Sequence, residues 1–201
     1  MKTTPPSPPQ RDLCGYEVLV AVCGGIAAYK VCSIVSALVQ RGSGVSVAMT
    51  AAARKFVGPL TFQALSGRRV LTSLWSSEEP ADVQHVGRTD AADLMLIAPA
   101  TANIIGKTAA GIADDLVSTL AVSMTSPVLL APTMNDRMWA NKVVQENLLR
   151  LKERGFVVVG PSDGWLACGS VGPGRMAEPA DILNAVETML KARTPKSTAG
   201  E

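Results

Sequence analysis

Short apolar runs that end on glycine, proline or small polar residues alternate along this chain with segments of helical period. That alternation constrains the fold more than any other feature. Residues 17–23 form a continuous β-prone run closing on Gly24-Gly25, and residues 27–41 follow with helical spacing until Gly42. Residues 45–49, 94–98, 128–131 and 156–159 read as further buried strands. Helices are predicted over 60–65, 113–124, 143–154 and 180–192, with a helical turn capped by Thr50 and a helix following Pro99-Ala100-Thr101-Ala102-Asn103. Uniformly apolar strands alternating with helices predict an α/β fold: a doubly wound, Rossmann-like (flavodoxin-like) parallel sheet with helices on both faces and ligands gathered at the carboxyl ends of the strands.

With 201 residues, 47% of them hydrophobic, the chain has material for one well-buried core. The expected organisation is a flexible tail over 1–14, a single domain over 15–193 and a second tail over 194–201. Lys and Arg are dispersed and the formal net charge is only +2, which disfavours nucleic acid as a partner. Residues 1–10 are rich in Pro, Ser and Thr and lack a signal-peptide core, and no apolar run reaches membrane-spanning length, so a cytoplasmic protein without membrane association is expected. The four cysteines show no paired spacing and there is a single histidine, so no metal site is expected.

The turns after the strands carry the informative residues. Gly24, Gly25 and Ile26 permit close backbone approach at a helix N-terminus, which suits a phosphate; an empty tight turn is the alternative. No acidic residue follows about twenty positions on, where Thr50 stands instead, so the full dinucleotide fingerprint is missing. Thr101, Ala102, Asn103 and Ile104 lie at a second strand end, as cofactor contacts or as a helix cap. Ala131-Pro132-Thr133-Met134-Asn135 lies at a third, where Asn135 either holds a substrate carboxylate or caps a helix, and Met134, Met138 and Trp139 suit packing.

Two further residues bear on chemistry. His85, in an irregular segment over 73–88, is the one side chain whose ordinary pKa, ~6.5, suits proton exchange at neutral pH, although a lone histidine is often incidental. Cys168 stands in residues 161–176, a stretch with four glycines and two prolines that reads as a mobile flap without regular structure. A thiol there suits a proton donor or nucleophile better than packing.

Taken in order, the Gly24-Gly25 turn, His85, Pro99-Ala100-Thr101-Ala102-Asn103, Pro132-x-Met134-Asn135-x-x-Met138 and Ala167-Cys168-Gly169 leading to Gly172-Pro173-Gly174-Arg175-Met176 resemble the homo-oligomeric flavin-containing cysteine decarboxylases. Within that family the combination of His85, Asn135 and Cys168 resembles the members that act on phosphopantothenoylcysteine in coenzyme A biosynthesis. Peptidyl-cysteine decarboxylases share His85 and Asn135 but differ in the flap, and a non-catalytic flavin-binding regulatory subunit is a third reading.

The resemblance implies FMN held by Gly24, Gly25, Ile26, Thr50, Thr101, Ala102, Asn103, Ile104 and Thr133, and substrate held by Asn135, Ala167, Arg175 and Met176. It implies His85 as base or charge partner in an oxidative decarboxylation through thioaldehyde and enethiolate intermediates, and Cys168 as the donor that completes the thiol product. It also implies a homo-oligomer, a trimer or an assembly of trimers, and a phosphopantothenate–cysteine ligase as a possible separate partner. Trp165 departs from the basic or small residue of some relatives, leaving Arg175 as a candidate for the substrate phosphate.

Overall fold

A computed structural model describes residues 11–75, 87, 89–167, 169 and 171–196. His85 and Cys168, and most of the segment over 73–88, lie outside the described residues. Strands β1 (Glu17–Val22), β2 (Gly44–Met49), β3 (Leu94–Ala100), β4 (Val128–Pro132) and β5 (Val157–Val158) form one parallel sheet in the order β2-β1-β3-β4-β5. In register, Val20 of β1 lies between Val47 and Leu96. This is the flavodoxin-like order, which reverses direction between β1 and β3.

Successive side chains leave a strand on opposite faces, and both faces of this sheet are covered. Val18, Val20, Val22, Leu94 and Leu96 pack against helices α1 (Ala28–Gln40) and α2 (Pro59–Ser66) and against the C-terminal helix. Leu19, Ala21, Met95 and Ile97 pack against α3 (Ala102–Ala110), α4 (Leu116–Ser123) and the long helix after β4. Each such Val, Leu or Ile withdrawn from water contributes roughly 1.5–3 kcal/mol, which explains why the strands read as unbroken apolar runs. After β4 come α5 (Asp136–Trp139) and α6 (Lys142–Glu153), then a hairpin of β6 (Ser162–Trp165) and β7 (Val171–Arg175), then α7 (Pro179–Lys191).

Three expectations change. The flap over 161–176 contains regular structure, because β6 and β7 pair antiparallel with Gly164 opposite Gly172 and Asp163 opposite Pro173. A two-stranded ribbon is all edge, so proline's missing N–H need not interrupt a central ladder. The helix expected from 113 begins at Leu116, because Asp115 caps it: Ser118 N–H donates to Asp115 Oδ1 at 2.9 Å and Asp115 N–H donates to Ser118 Oγ at 3.0 Å.

Leu13 and Lys196, expected within the tails over 1–14 and 194–201, are fastened to the domain. Leu13 is fully buried, and its N–H donates to the Arg41 carbonyl at 3.0 Å. At the other end Lys196 N–H donates to Asp93, which also accepts from Glu17 N–H.

Asp12 fastens this corner by accepting from Arg41 (2.6 and 2.8 Å) and from Lys191 (2.7 Å). Those cations, Arg41 foremost, hold its carboxyl well below the usual carboxylate range. A depressed carboxyl stabilises the folded chain above its unfolded pKa of about 3.9, and the contribution fades as pH falls below that value. Asp12→Asn is therefore expected to lower Tm at pH 7. Thermal melts of both proteins from pH 7 downward check this, and the gap between them closes below about pH 4.

Candidate functional site

A cavity of about 840 Å³ opens at the carboxyl ends of β1, β3 and β4, within the size range of small-molecule and cofactor sites. Its walls bring together turns far apart in sequence. Gly24, Gly25 and Ile26 follow β1, Thr50 follows β2, Thr101 to Ile104 follow β3, and Thr133 and Asn135 follow β4; Ala167, Arg175 and Met176 come from the hairpin. All the expected cofactor-binding and substrate-binding residues thus face one space. The two expected catalytic residues lie outside the described residues.

Local packing dictates several of these positions. A Cβ on Gly24 would stand 2.3 Å from the Ala52 Cβ, so the turn after β1 reaches the chain after β2 only with glycine there. Thr50 Oγ1 accepts from Ala53 N–H at 3.1 Å and Thr101 Oγ1 from Ile104 N–H at 3.4 Å. Both threonines therefore cap local turns while lining the cavity. Asn135 does the same for α5: its Oδ1 accepts from Arg137 N–H at 2.8 Å and Met138 N–H at 3.4 Å. Asn135 thus caps α5 while lining the cavity. Met176 touches the cavity but is almost wholly buried in the core, so its contribution to the wall is packing.

The hairpin is joined to this loop through backbone. Met134 N–H donates to the Gly174 carbonyl at 2.9 Å. A Cβ on Gly174, whose φ is +139°, would meet the Met134 carbonyl oxygen at 2.2 Å. Gly174→Ala is expected to destabilise the protein by about 2–4 kcal/mol, from clash and backbone strain together. Denaturant unfolding measures it, and the cavity wall formed by Asn135 and Arg175 should loosen with it.

Met138 and Trp165 line the cavity too, and so do Cys23, Tyr29, Lys30 and Asp115, whose positions carried no distinguishing signal in the sequence. Burial pushes the Cys23 thiol up to about 12, with the Asp115 carboxylate adding to the shift, so this cysteine stays neutral. Burial opposes the charge on Asp115, but the Lys107 ammonium, 2.7 Å away, and Ser118 N–H outweigh it and keep the carboxyl below its ordinary value. Ile26, Tyr29, Met138 and Trp165 are 48–69% exposed, giving the cavity an apolar rim. Among the described residues no cluster of His, Cys, Asp or Glu is placed to hold a metal, and no helix is long and apolar enough to cross a membrane.

A 2-1-3-4-5 parallel sheet with a cofactor-sized cavity where the strand order reverses defines a flavodoxin-like ligand-binding protein. Residues 6–191 match the model of the family described as Flavoprotein, and the chain belongs to that family. It is 45% identical over 185 residues to the coenzyme A biosynthesis bifunctional protein CoaBC of Bacillus subtilis, a match covering 92% of this chain and 46% of that protein. The chain thus spans about half the length of the curated relatives it matches.

Two solved structures share the fold. The FMN-dependent cysteine decarboxylase SpaF superposes with a TM-score of 0.77 at 32% identity, covering 90% of this chain and 98% of its own. A cysteine-to-serine mutant of PPC decarboxylase complexed with pantothenoylaminoethenethiol gives 0.76 at 30% identity, covering 88% and 98%.

Proposed function

We propose that this chain is an FMN-dependent decarboxylase that converts 4'-phosphopantothenoylcysteine to 4'-phosphopantetheine in the cytoplasmic synthesis of coenzyme A. The observation that carries the reading is the convergence of the turns after β1, β2, β3 and β4 with the base of the hairpin on one cavity. Membership of the Flavoprotein family and similarity to CoaBC and to PPC decarboxylase support it.

The walls fit a flavin mononucleotide. Thr133 Oγ1 is buried without a hydrogen-bond partner, a costly state that a polar ligand would relieve. Gly24 and Gly25 line the cavity where α1 begins, and a helix N-terminus favours a phosphate; Thr50, Thr101 and Asn103 add polar groups around the same space. Gly24, Gly25, Ile26, Thr50, Thr101, Ala102, Asn103, Ile104 and Thr133 would hold the cofactor. When bound, FMN supplies a reversible hydride acceptor, which gives the cysteinyl carbon an electron sink for loss of its carboxylate.

The chain's own residues orient the substrate and move protons. Asn135 presents its amide to the substrate carboxylate, and the hairpin brings Ala167 and Arg175 over the same cavity. His85 serves the first half of the reaction as base or charge partner, and Cys168 gives the proton that completes the product. A largely apolar wall strengthens these polar contacts by excluding water.

The apolar rim of Ile26, Tyr29, Met138 and Trp165 supports completion of the site by a second copy, in a trimer or an assembly of trimers. The substrate would come from ligation of cysteine to phosphopantothenate, by a separate or linked ligase.

Substrate choice tests the reading. The flavin-loaded protein is offered phosphopantothenoylcysteine and a peptide ending in cysteine, and released carbon dioxide is measured. Release from the first supports the proposal, and release from the peptide alone would replace it with a peptidyl-cysteine decarboxylase.

A further inference from the structure

Two cations at the mouth of the cavity are joined by a single carboxylate. Lys30, in the first turn of α1, and Arg175, at the end of β7, both line the space. Glu178 Oε1 lies 2.6 Å from Arg175 Nη2, and its Oε2 lies 3.2 Å from Lys30 Nζ. Glu178 directly precedes α7 but makes no side-chain cap bond, so its carboxylate is spent on the two cations and not on the helix.

A lysine in the first turn opposes the helix dipole, so helix stability does not account for its position. Its side chain is only 15% exposed, against 48% for Glu178. A mostly buried ammonium needs an anion beside it, while the more exposed carboxylate can return to water when another anion arrives.

A phosphate monoester carries up to two negative charges and three strong acceptor oxygens, a better match for two cations than one carboxylate. We propose that Lys30 and Arg175 form the subsite for the terminal phosphate of the substrate, with Glu178 as the exchangeable counter-ion that gives way to it. This rests on the substrate reading above. It makes Lys30 and Glu178 determinants of the preference for phosphorylated over unphosphorylated pantothenoyl compounds. The cofactor's own phosphate has a separate expected cradle at Gly24 and Gly25.

The test is calorimetric titration of the flavin-loaded protein with 4'-phosphopantetheine and with pantetheine, which lacks the phosphate. The natural chain should bind the phosphorylated ligand roughly tenfold or more tightly than pantetheine, as charge-assisted hydrogen bonds imply. Lys30→Gln should bring that ratio close to one, and Lys30→Arg should restore most of it. Glu178→Gln should raise the ratio, because the competing carboxylate is gone.

A ratio unmoved by Lys30→Gln, or lowered by Glu178→Gln, overturns the proposal. So does a Lys30→Gln protein that sheds FMN while keeping the ratio, since the pair would then serve the cofactor's phosphate. A natural chain that keeps the preference, with the expected response to Lys30→Gln, yet does not decarboxylate phosphopantothenoylcysteine supports the subsite and refutes the proposed reaction.

Discussion

Cys168→Ser is expected to release carbon dioxide from phosphopantothenoylcysteine and then to stall, with bleached flavin absorbance and an unsaturated thiol as product. Acidity decides the outcome. The last step needs a proton delivered to carbon, and a thiol with an ordinary pKa of about 8.5 is a far better donor than an alcohol. Loss of a positioned acid costs ~10²–10⁴-fold in the step it serves, so the second half of the reaction slows while the first proceeds. Ala167, immediately before Cys168, lines the cavity, and so do Gly174 and Arg175 after it. A related PPC decarboxylase carrying a cysteine-to-serine change has been captured with pantothenoylaminoethenethiol, the kind of product this substitution should leave. Rapid mixing with product analysis by mass spectrometry reads the outcome. Normal formation of phosphopantetheine by Cys168→Ser would remove the cysteine from the proposed mechanism.

His85→Asn is expected to fail earlier, with no carbon dioxide and no bleaching. Asparagine keeps hydrogen-bonding capacity but cannot take up a proton near neutral pH, so the loss isolates the basic or cationic role of the imidazole. The expected reduction is again ~10²–10⁴-fold, here on the first flavin bleaching as well as on overall turnover. The two substitutions therefore separate the halves of one reaction. Wild-type rates of decarboxylation in His85→Asn would make the histidine structural.

Most of the cavity wall was legible in the sequence because strand ends in a parallel sheet converge on one side. Gly24-Gly25, Thr101-Ala102-Asn103 and Thr133-Met134-Asn135 announce themselves as breaks between apolar runs and helical segments. Lys30 and Tyr29 did not, because their spacing is that of any helix and only the folded chain turns them toward the cavity. Asp115 was hidden inside an apparent helical period, and its capping box with Ser118 and its ion pair with Lys107 form only in the folded chain.

The hairpin departs from the irregular flap expected over 161–176 for a different reason. Glycine and proline signal irregular backbone locally, whereas the pairing of Gly164 with Gly172 and the contact of Gly174 with Met134 are tertiary events. The same holds for the N-terminal corner, where Asp12 finds Arg41 and Lys191 only after folding. Strand order likewise depends on crossovers that no local pattern encodes.

Anaerobic incubation of the purified, flavin-loaded chain with phosphopantothenoylcysteine and no added nucleotide tests the proposed reaction itself. The expected result is yellow protein, FMN as the released cofactor, equal amounts of carbon dioxide and phosphopantetheine, and flavin returned to its oxidised state. Flavin-loaded protein that leaves this substrate unchanged would contradict it.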